Sequence, residues 1–193
     1  MLDRRQAVAT LLADRDDRLL VVSGLGSPTY DVAAAGDHAL NFYLWGAMGL
    51  AVPVGLGLAQ AQPRCRVLVV TGDGELLMGL GALATAGARK AANLAVAVLD
   101  NEAYGETGGQ TSHTGLGTDL AAVALGCGFA GAITARDAAG LAEATRLLRA
   151  APGPVLAVLQ VARDPCPRVL PERHGHALRQ RFRSALLSQG RIG

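Results

Sequence analysis

"VVTGDGELLMGLGALATAGARKAANLAVAVLDNEAYG", residues 69 to 105, is the stretch whose reading decides the fold. An apolar, β-branched run ends in Gly72-Asp73-Gly74, small residues with helical spacing fill 75 to 90, and a second apolar run over 94 to 99 ends in Asp100-Asn101. Runs this short are not helices, and runs this continuously apolar lack the alternation of a half-exposed strand. They read as strands buried on both faces. A strand, a helix and another such strand make a βαβ unit with its two strands parallel.

Working outward, the same kind of run recurs at 18 to 23 (RLLVVS) and 154 to 161 (PVLAVLQV), while the first strand of the quoted unit begins at 66. Helical spacing falls at 3 to 14, 48 to 60, 118 to 126 and 137 to 150, with Asp3, Thr118 and Asp137 placed as N-caps, and 174 to 189 predicts a last helix beyond the sheet. The fold class expected is α/β, a doubly wound, mostly parallel sheet flanked by helices. No low-complexity linker or fixed-period repeat divides the 193 residues, so 1-193 is expected to be a single domain.

Composition narrows the function. Half of the residues are hydrophobic and 18% are charged, with a formal net charge of +2, too small and too dispersed to expect nucleic acid as partner. Cys65, Cys127 and Cys166 lie far apart, without the paired spacing of a zinc or iron–sulfur site, and read as small apolar residues in a reducing compartment. Arginines and aspartates interrupt the apolar stretch of the first 17 residues, which is therefore expected to be neither a signal peptide nor a membrane span; the protein is expected to be cytoplasmic.

Ligands of such sheets sit outside the carboxyl ends of the strands, and the unusual sequence features all fall there: Ser23-Gly24-Leu25-Gly26-Ser27, Gly72-Asp73-Gly74, and Asp100 to Gly105. Gly72 and Gly74 permit close backbone approach, and the helix that follows offers unpaired N–H groups to a phosphate. Asp73 would repel a bare phosphate, so an acid there makes sense with a divalent cation between them; Mg2+ takes a few protein oxygens and completes its octahedron with waters and phosphates. Asn101, 28 positions on at the tip of the next strand, is placed to supply a second oxygen. The tripeptide by itself is equally an ordinary turn with a helix N-cap. A dinucleotide fingerprint fails on order, because Gly79-Leu80-Gly81 lies inside the predicted helix and reads as small residues for close helix–sheet packing.

Gly72-Asp73-Gly74, followed after a helix and a strand by Asp100-Asn101, resembles the cofactor signature of thiamine-diphosphate-dependent enzymes. The resemblance implies that Asp73, Asn101 and the main-chain carbonyl of Ala103 hold Mg2+ and, through it, the diphosphate. Asp100 stands where many members have an asparagine that is not a metal ligand, and Ala103 where they have a glycine whose carbonyl is what matters. Trp45-Gly46-Ala47-Met48-Gly49 is similar to the segment beneath the aminopyrimidine, which implies that the Gly46 carbonyl accepts from the 4′-amino group and that Met48 wedges the cofactor into its bent form. Ser23, Gly24 and Leu25 match a turn that touches the diphosphate, and Gly72, Gly74, Glu75 and Tyr104 complete the cofactor-binding set that the resemblance implies.

Enzymes of this family stretch the cofactor between two α/β domains, and this chain resembles the diphosphate-binding one. The other domain carries a glutamate that activates the pyrimidine. None of the five glutamates here, Glu75, Glu102, Glu106, Glu143 and Glu172, stands where that role requires. The implication is a hetero-oligomer whose separate pyrimidine-binding subunit supplies the catalytic glutamate. Residues 99 to 111 (LDNEAYGETGGQT) look most like the sulfopyruvate and phosphonopyruvate decarboxylases, which implies non-oxidative decarboxylation of a small 2-oxo acid to an aldehyde. Carboligation, a 2-oxoacid oxidoreductase β subunit and a noncatalytic cofactor-binding subunit are the alternatives. In this reading the loop 109 to 115 faces the reacting carbon, with His113 the candidate proton donor or anion contact beside Gln110 and Thr111. The arginines of 167 to 174 are either sulfonate or phosphonate contacts or part of a solvated basic helix.

Overall fold

A computed structural model describes residues 1–188 of the chain. The elements in chain order are α1 (Arg4–Leu12), β1 (Leu19–Ser23), α2 (Ser27–Ala34), β2 (Asn41–Tyr43), α3 (Ala51–Ala61), β3 (Arg66–Gly72), α4 (Asp73–Met78), α5 (Ala82–Arg89) and β4 (Leu94–Asp100). A small hairpin, β5 (Ala103–Tyr104) with β6 (Gln110–Thr111), and a 3-10 turn at Thr114–Leu116 precede α6 (Leu120–Gly126), β7 (Gly131–Ala135), α7 (Ala138–Ala150), β8 (Val155–Gln160) and α8 (Gly175–Ser188).

Six strands form one parallel sheet in the order β2-β1-β3-β4-β8-β7. The expected α/β class and the four expected strands are all present. Their near-continuous burial shows why: β1 and β4 are buried at every position, because helices cover both faces. One apolar layer joins α1, α2 and α7 to the sheet through Val8, Leu11, Val32 and Leu148; the other joins α3, α5, α6 and α8 through Leu56, Leu83, Ala124 and Phe182. The chain leaves β1 toward β2 on one side and returns through α3 to β3 on the other. The order therefore reverses between β1 and β3, and a crevice opens at their carboxyl ends.

Several local expectations need correction. The predicted helix over 75 to 90 is two helices, Asp73–Met78 and Ala82–Arg89, broken at residues 79 to 81. A Cβ built on Gly79 would overlap the backbone of Gly49, so this glycine serves the approach of the break to the 44 to 50 loop, not helix–sheet packing. Close helix–sheet packing falls instead to Gly55, whose Cβ would overlap Val69. Asp3 and Asp137 cap α1 and α7 as expected, but α6 is capped by Asp119, which accepts from the N–H groups of Ala121 and Ala122, and not by Thr118. α2, β2 and β7 were not expected. α2 is eight residues with a proline in its first turn and no apolar stripe, β2 has three residues, and β7 is a half-exposed edge strand of small residues. α8 runs to Ser188; residue 189 of the expected helix lies outside the described residues. Among the described residues no helix is long and apolar enough to cross a membrane.

Candidate functional site

The crevice between β1 and β3 is a cleft of about 600 Å³, its open mouth included. Its walls come from the first turn of α2 (Ser27, Pro28), the Gly72–Glu75 turn, and the segment from Asn101 to Thr107, with Leu25, Met48 and Leu99 as apolar lining. Of the residues singled out in the sequence, the structure brings Leu25, Met48, Gly72, Asp73, Gly74, Glu75, Asn101, Ala103 and Tyr104 to this one space. Ser23, Gly24, Gly46 and His113 are not part of its lining.

Asp73 opens α4 and is only 2% exposed. Its Oδ2 accepts from Ser112 Oγ at 2.5 Å and lies 3.2 Å from Thr114 Oγ1, which also reaches Asp100 Oδ1 at 2.7 Å. Burial pushes the Asp73 carboxyl up, the hydroxyls oppose that, and the charge of Asp100 pushes the same way as burial. Thr114 has one proton and two carboxylates within reach, so when it donates to Asp100 its contact with Asp73 is left without a hydrogen. Two buried acids that share so few donors favour a cation on the open side. Neither hydroxyl reaches Asp73 Oδ1.

Asn101 and Ala103 complete the donor set. Asn101 Oδ1 accepts from Ala103 N at 3.1 Å, and the Ala103 carbonyl accepts from Gly105 N at 3.1 Å; each oxygen keeps a second lone pair. One carboxylate, one amide oxygen and one main-chain carbonyl in a single cleft form a hard-oxygen set that suits Mg2+ with several waters or phosphate oxygens. Histidine and cysteine take no part: among the described residues no group of three or more His, Cys, Asp or Glu side chains gathers as a metal site.

Glu75 follows the turn and is 7% exposed. Burial pushes its carboxyl up, opposed by the Thr71 hydroxyl, which donates to Oε2, and by Ala51 N–H, 3.4 Å from Oε1. A Cβ on Gly24 would overlap Glu75 Oε2, so Glu75 and the Gly24 backbone occupy adjoining space and tie the β1 turn to α4 and α3. Ser23 points inward, its Oγ 2.7 Å from Thr29 Oγ1. Gly74 lies under Tyr104, whose ring a Cβ there would overlap.

Backbone strain concentrates beside the cleft. Among the described residues four non-glycines take positive φ; Asp14 and Lys90 follow helix ends, but Ala47 (58°) and Glu102 (57°) stand in the two loops that carry Met48 and Asn101. A left-handed alanine costs about 1 kcal/mol or more and persists only where its surroundings enforce it. Gly46 is exposed, one residue before Ala47, while Met48 turns into the lining.

The 109 to 115 loop reverses the expected emphasis. Gln110, Thr111 and His113 are exposed, and His113 Nδ1 lies 3.1 Å from Tyr104 Oη outside the cleft. The alternate residues Ser112 and Thr114 point in and hold the acids. Their alternation within a loop carried no sequence signal stronger than that of their neighbours. The basic segment after β8 is extended to residue 174, with no helix before Gly175. Arg163 donates to the carbonyls of Asn101 and Glu102 at 2.8 and 3.0 Å, Arg168 lies 3.9 Å from Glu106 and over the Tyr30 ring, and Arg173 lies over Trp45. Reasoning from sequence also missed Arg4, Ser27, Pro28, Leu99, Gly105, Glu106 and Thr107 among the lining residues.

Residues 24–159 match the family described as thiamine pyrophosphate enzyme, C-terminal TPP binding domain. The chain is 39% identical over 126 residues to sulfopyruvate decarboxylase subunit beta of Methanocaldococcus jannaschii, covering 65% of this chain and 66% of that one. It is 40% identical over 158 residues to phosphonopyruvate decarboxylase of Streptomyces viridochromogenes, covering 82% of this chain but 39% of that one. The aligned part thus spans just under two thirds of the first relative and far less of the second. An X-ray structure of a presumed thiamin diphosphate-dependent enzyme isolated from Mycobacterium smegmatis superposes with a TM-score of 0.68 at 24% identity, over 84% of this chain and 32% of that one, which shows a shared fold.

Proposed function

From the premise that this chain belongs to the thiamine pyrophosphate enzymes, through their C-terminal TPP-binding domain, we propose that it is the diphosphate-binding, β-type subunit of a heteromeric 2-oxo acid decarboxylase. The reaction is non-oxidative: the 2-oxo acid loses CO2, a proton takes the place of the carboxylate, and an aldehyde results. The substrates are of the sulfopyruvate or phosphonopyruvate type, in keeping with the names of the relatives. Residues 1-193 act as one domain of the diphosphate-binding kind, in the cytoplasm, with no nucleic acid or membrane partner.

The observation that carries this reading is the convergence of Asp73, Asn101 and Ala103 on one cleft that Met48 also lines. Asp73, Asn101 Oδ1 and the Ala103 carbonyl would hold Mg2+; Gly72, Gly74, the first N–H groups of α4 and the turn at Leu25 would receive the diphosphate; Met48 would bear on the cofactor's bend. Bound there, thiamine diphosphate supplies the electron sink for the departing carboxylate. This chain's share is to orient and to keep water out. Ser112 and Thr114 fix the Asp73 carboxylate, Glu75 locks the β1 turn against α4, and the apolar lining limits hydration.

Glu75 cannot serve as the pyrimidine-activating acid while its carboxylate is engaged by Thr71 and packed on Gly24. A separate subunit is therefore proposed to bring that glutamate. The test is reconstitution: the isolated chain is expected to release no CO2 from sulfopyruvate or phosphonopyruvate, and to do so when mixed with a pyrimidine-binding partner, thiamine diphosphate and Mg2+. Full decarboxylation by the chain alone would reject the half-enzyme reading. Cofactor binding by the pair without turnover of any 2-oxo acid would favour a noncatalytic subunit.

A further inference from the structure

Arg4 is the one basic residue in the lining of the cleft, which also includes the acids Asp73, Glu75 and Glu106. It does not belong to the strand-end turns; it comes from the first turn of α1 and is carried across to α2. Its side chain is 10% exposed, and its Nε meets Oδ2 of Asp31, itself fully buried, at 2.5 Å. Arg5 takes the other oxygen of Asp31, with Nε at 3.3 Å, and gives its remaining reach to the Pro167 carbonyl at 2.6 Å. The two arginines therefore differ. Arg5 is spent on structure, whereas the two terminal nitrogens of Arg4 make no hydrogen bond among the described residues, and neither is sealed from solvent. A guanidinium anchored by its inner edge on a buried carboxylate, with its outer edge unpartnered in a cleft, is preorganised for a planar, two-pronged contact with an oxyanion.

We infer that Arg4 is the anion-binding residue of this cleft and that its terminal nitrogens hold a tetrahedral oxyanion of the bound molecules. Two sources share that chemistry: the outer phosphoryl of the cofactor's diphosphate and the sulfonyl or phosphonyl end of the 2-oxo acid. Asp31 is the positioning residue that fixes the fork, and Arg5 keeps Asp31 neutralised when Arg4 is replaced. The inference rests on the functional reading above.

The test uses the full chain and its complex with the pyrimidine-binding subunit. In one arm the chain is titrated calorimetrically with magnesium pyrophosphate; in the other, KM is compared for a sulfonated 2-oxo acid and for pyruvate in the reconstituted complex. Arg4→Met is expected to weaken pyrophosphate binding about 10- to 100-fold if the phosphoryl is the ligand, or to raise KM by a similar factor for the sulfonated acid alone if the substrate is. Arg4→Lys, which keeps the charge and loses the fork, is expected to fall between, and it carries the test should Arg4→Met not fold. Both arms unchanged within twofold in both variants, with the wild type active, would overturn the inference and leave the functional reading intact. A wild-type chain that takes no pyrophosphate and a complex that turns over no 2-oxo acid would overturn both.

Discussion

The two ends of the sheet bury polar groups in opposite ways. At the amino ends of the strands the groups are arginines that donate to main-chain carbonyls: Arg66 gives Nε to Leu148, one terminal nitrogen to Ala92 and the other to Leu147, Arg149 gives one nitrogen to both Leu11 and Ala13, and Arg15 gives one to Leu19 while its buried Nε has no partner among the described residues. These carbonyls belong to the last turns of α7 and α1 or lie just beyond α1 and α5, where helices leave acceptors with capacity to spare. At the carboxyl ends the groups are acids, Asp73 and Asp100, held by hydroxyls and by the N–H groups of Gly74 and Glu102. Asp73 and Asp100 share one threonine, and both hydroxyls near Asp73 reach Oδ2, not Oδ1. The arginines at the amino ends donate to main-chain carbonyls, whereas Asp73 at the carboxyl ends lines an open cleft.

The largest effect expected from breaking this contrast is Asp73→Ala. It removes the one charged oxygen of the proposed metal set, so magnesium-dependent binding of thiamine diphosphate is expected to weaken at least about 100-fold by calorimetric titration. The far-ultraviolet circular dichroism should stay that of the wild type, because the change frees two hydroxyls at a strand end and opens no core. Retention of normal affinity would reject the metal assignment.

Arg66→Met is the mirror experiment. Burial lowers the Arg66 guanidinium to about 10, still charged at neutral pH, and its loss strands the Leu148 carbonyl, while those of Ala92 and Leu147 keep the N–H groups of Gly153 and Ala151. A loss of about 2–3 kcal/mol in urea unfolding is expected, with cofactor affinity unchanged once the protein is folded. A variant of normal stability and impaired binding would abolish the distinction between the two ends.

Much of this was legible beforehand for a simple reason. The four central strands are buried on both faces, so their composition announces them, and the cleft turns are glycine-rich because backbones approach closely there. Gly74 under Tyr104 is such a case. What stayed hidden depends on contacts distant in sequence. Nothing in the sequence singles out Asp31, yet it is fully buried because α1 delivers two arginines to it. Thr114 looks no different from Thr111 until the loop folds back on Asp100. The break at 79 to 81 was invisible because Gly79 is explained only by its contact with Gly49, thirty positions earlier.

Gly24→Ala probes the carboxyl end at smaller scale. Its new methyl would meet Glu75 Oε2, and that side chain is pinned by Thr71, so a destabilisation of about 1–2 kcal/mol is expected. In a Glu75→Ser background the same change should cost less, and a double-mutant cycle in urea should return a coupling of at least about 0.5 kcal/mol. Additive effects would mean that Glu75 does not brace the β1 turn.

His113→Ala has the smallest expected effect, and it separates the two sides of one loop. Ser112 and Thr114 face the acids, whereas the His113 ring stands outside, edge-on to Tyr104 with centroids 6.5 Å apart. Tyr104 is held independently by its packing on Gly74, so removing the imidazole leaves the cleft wall in place. Stability should change by no more than about 0.5 kcal/mol, as for other exposed substitutions, and cofactor affinity by less than twofold. Turnover in the reconstituted complex decides the rest. If His113 only decorates the rim, kcat stays within about threefold of wild type at every pH; a loss of a hundredfold with cofactor affinity unchanged would mean that docking of the partner turns this ring toward the reacting carbon. Thr114→Val in parallel completes the comparison, because its hydroxyl serves both buried acids and its loss should weaken magnesium-dependent binding where His113→Ala does not.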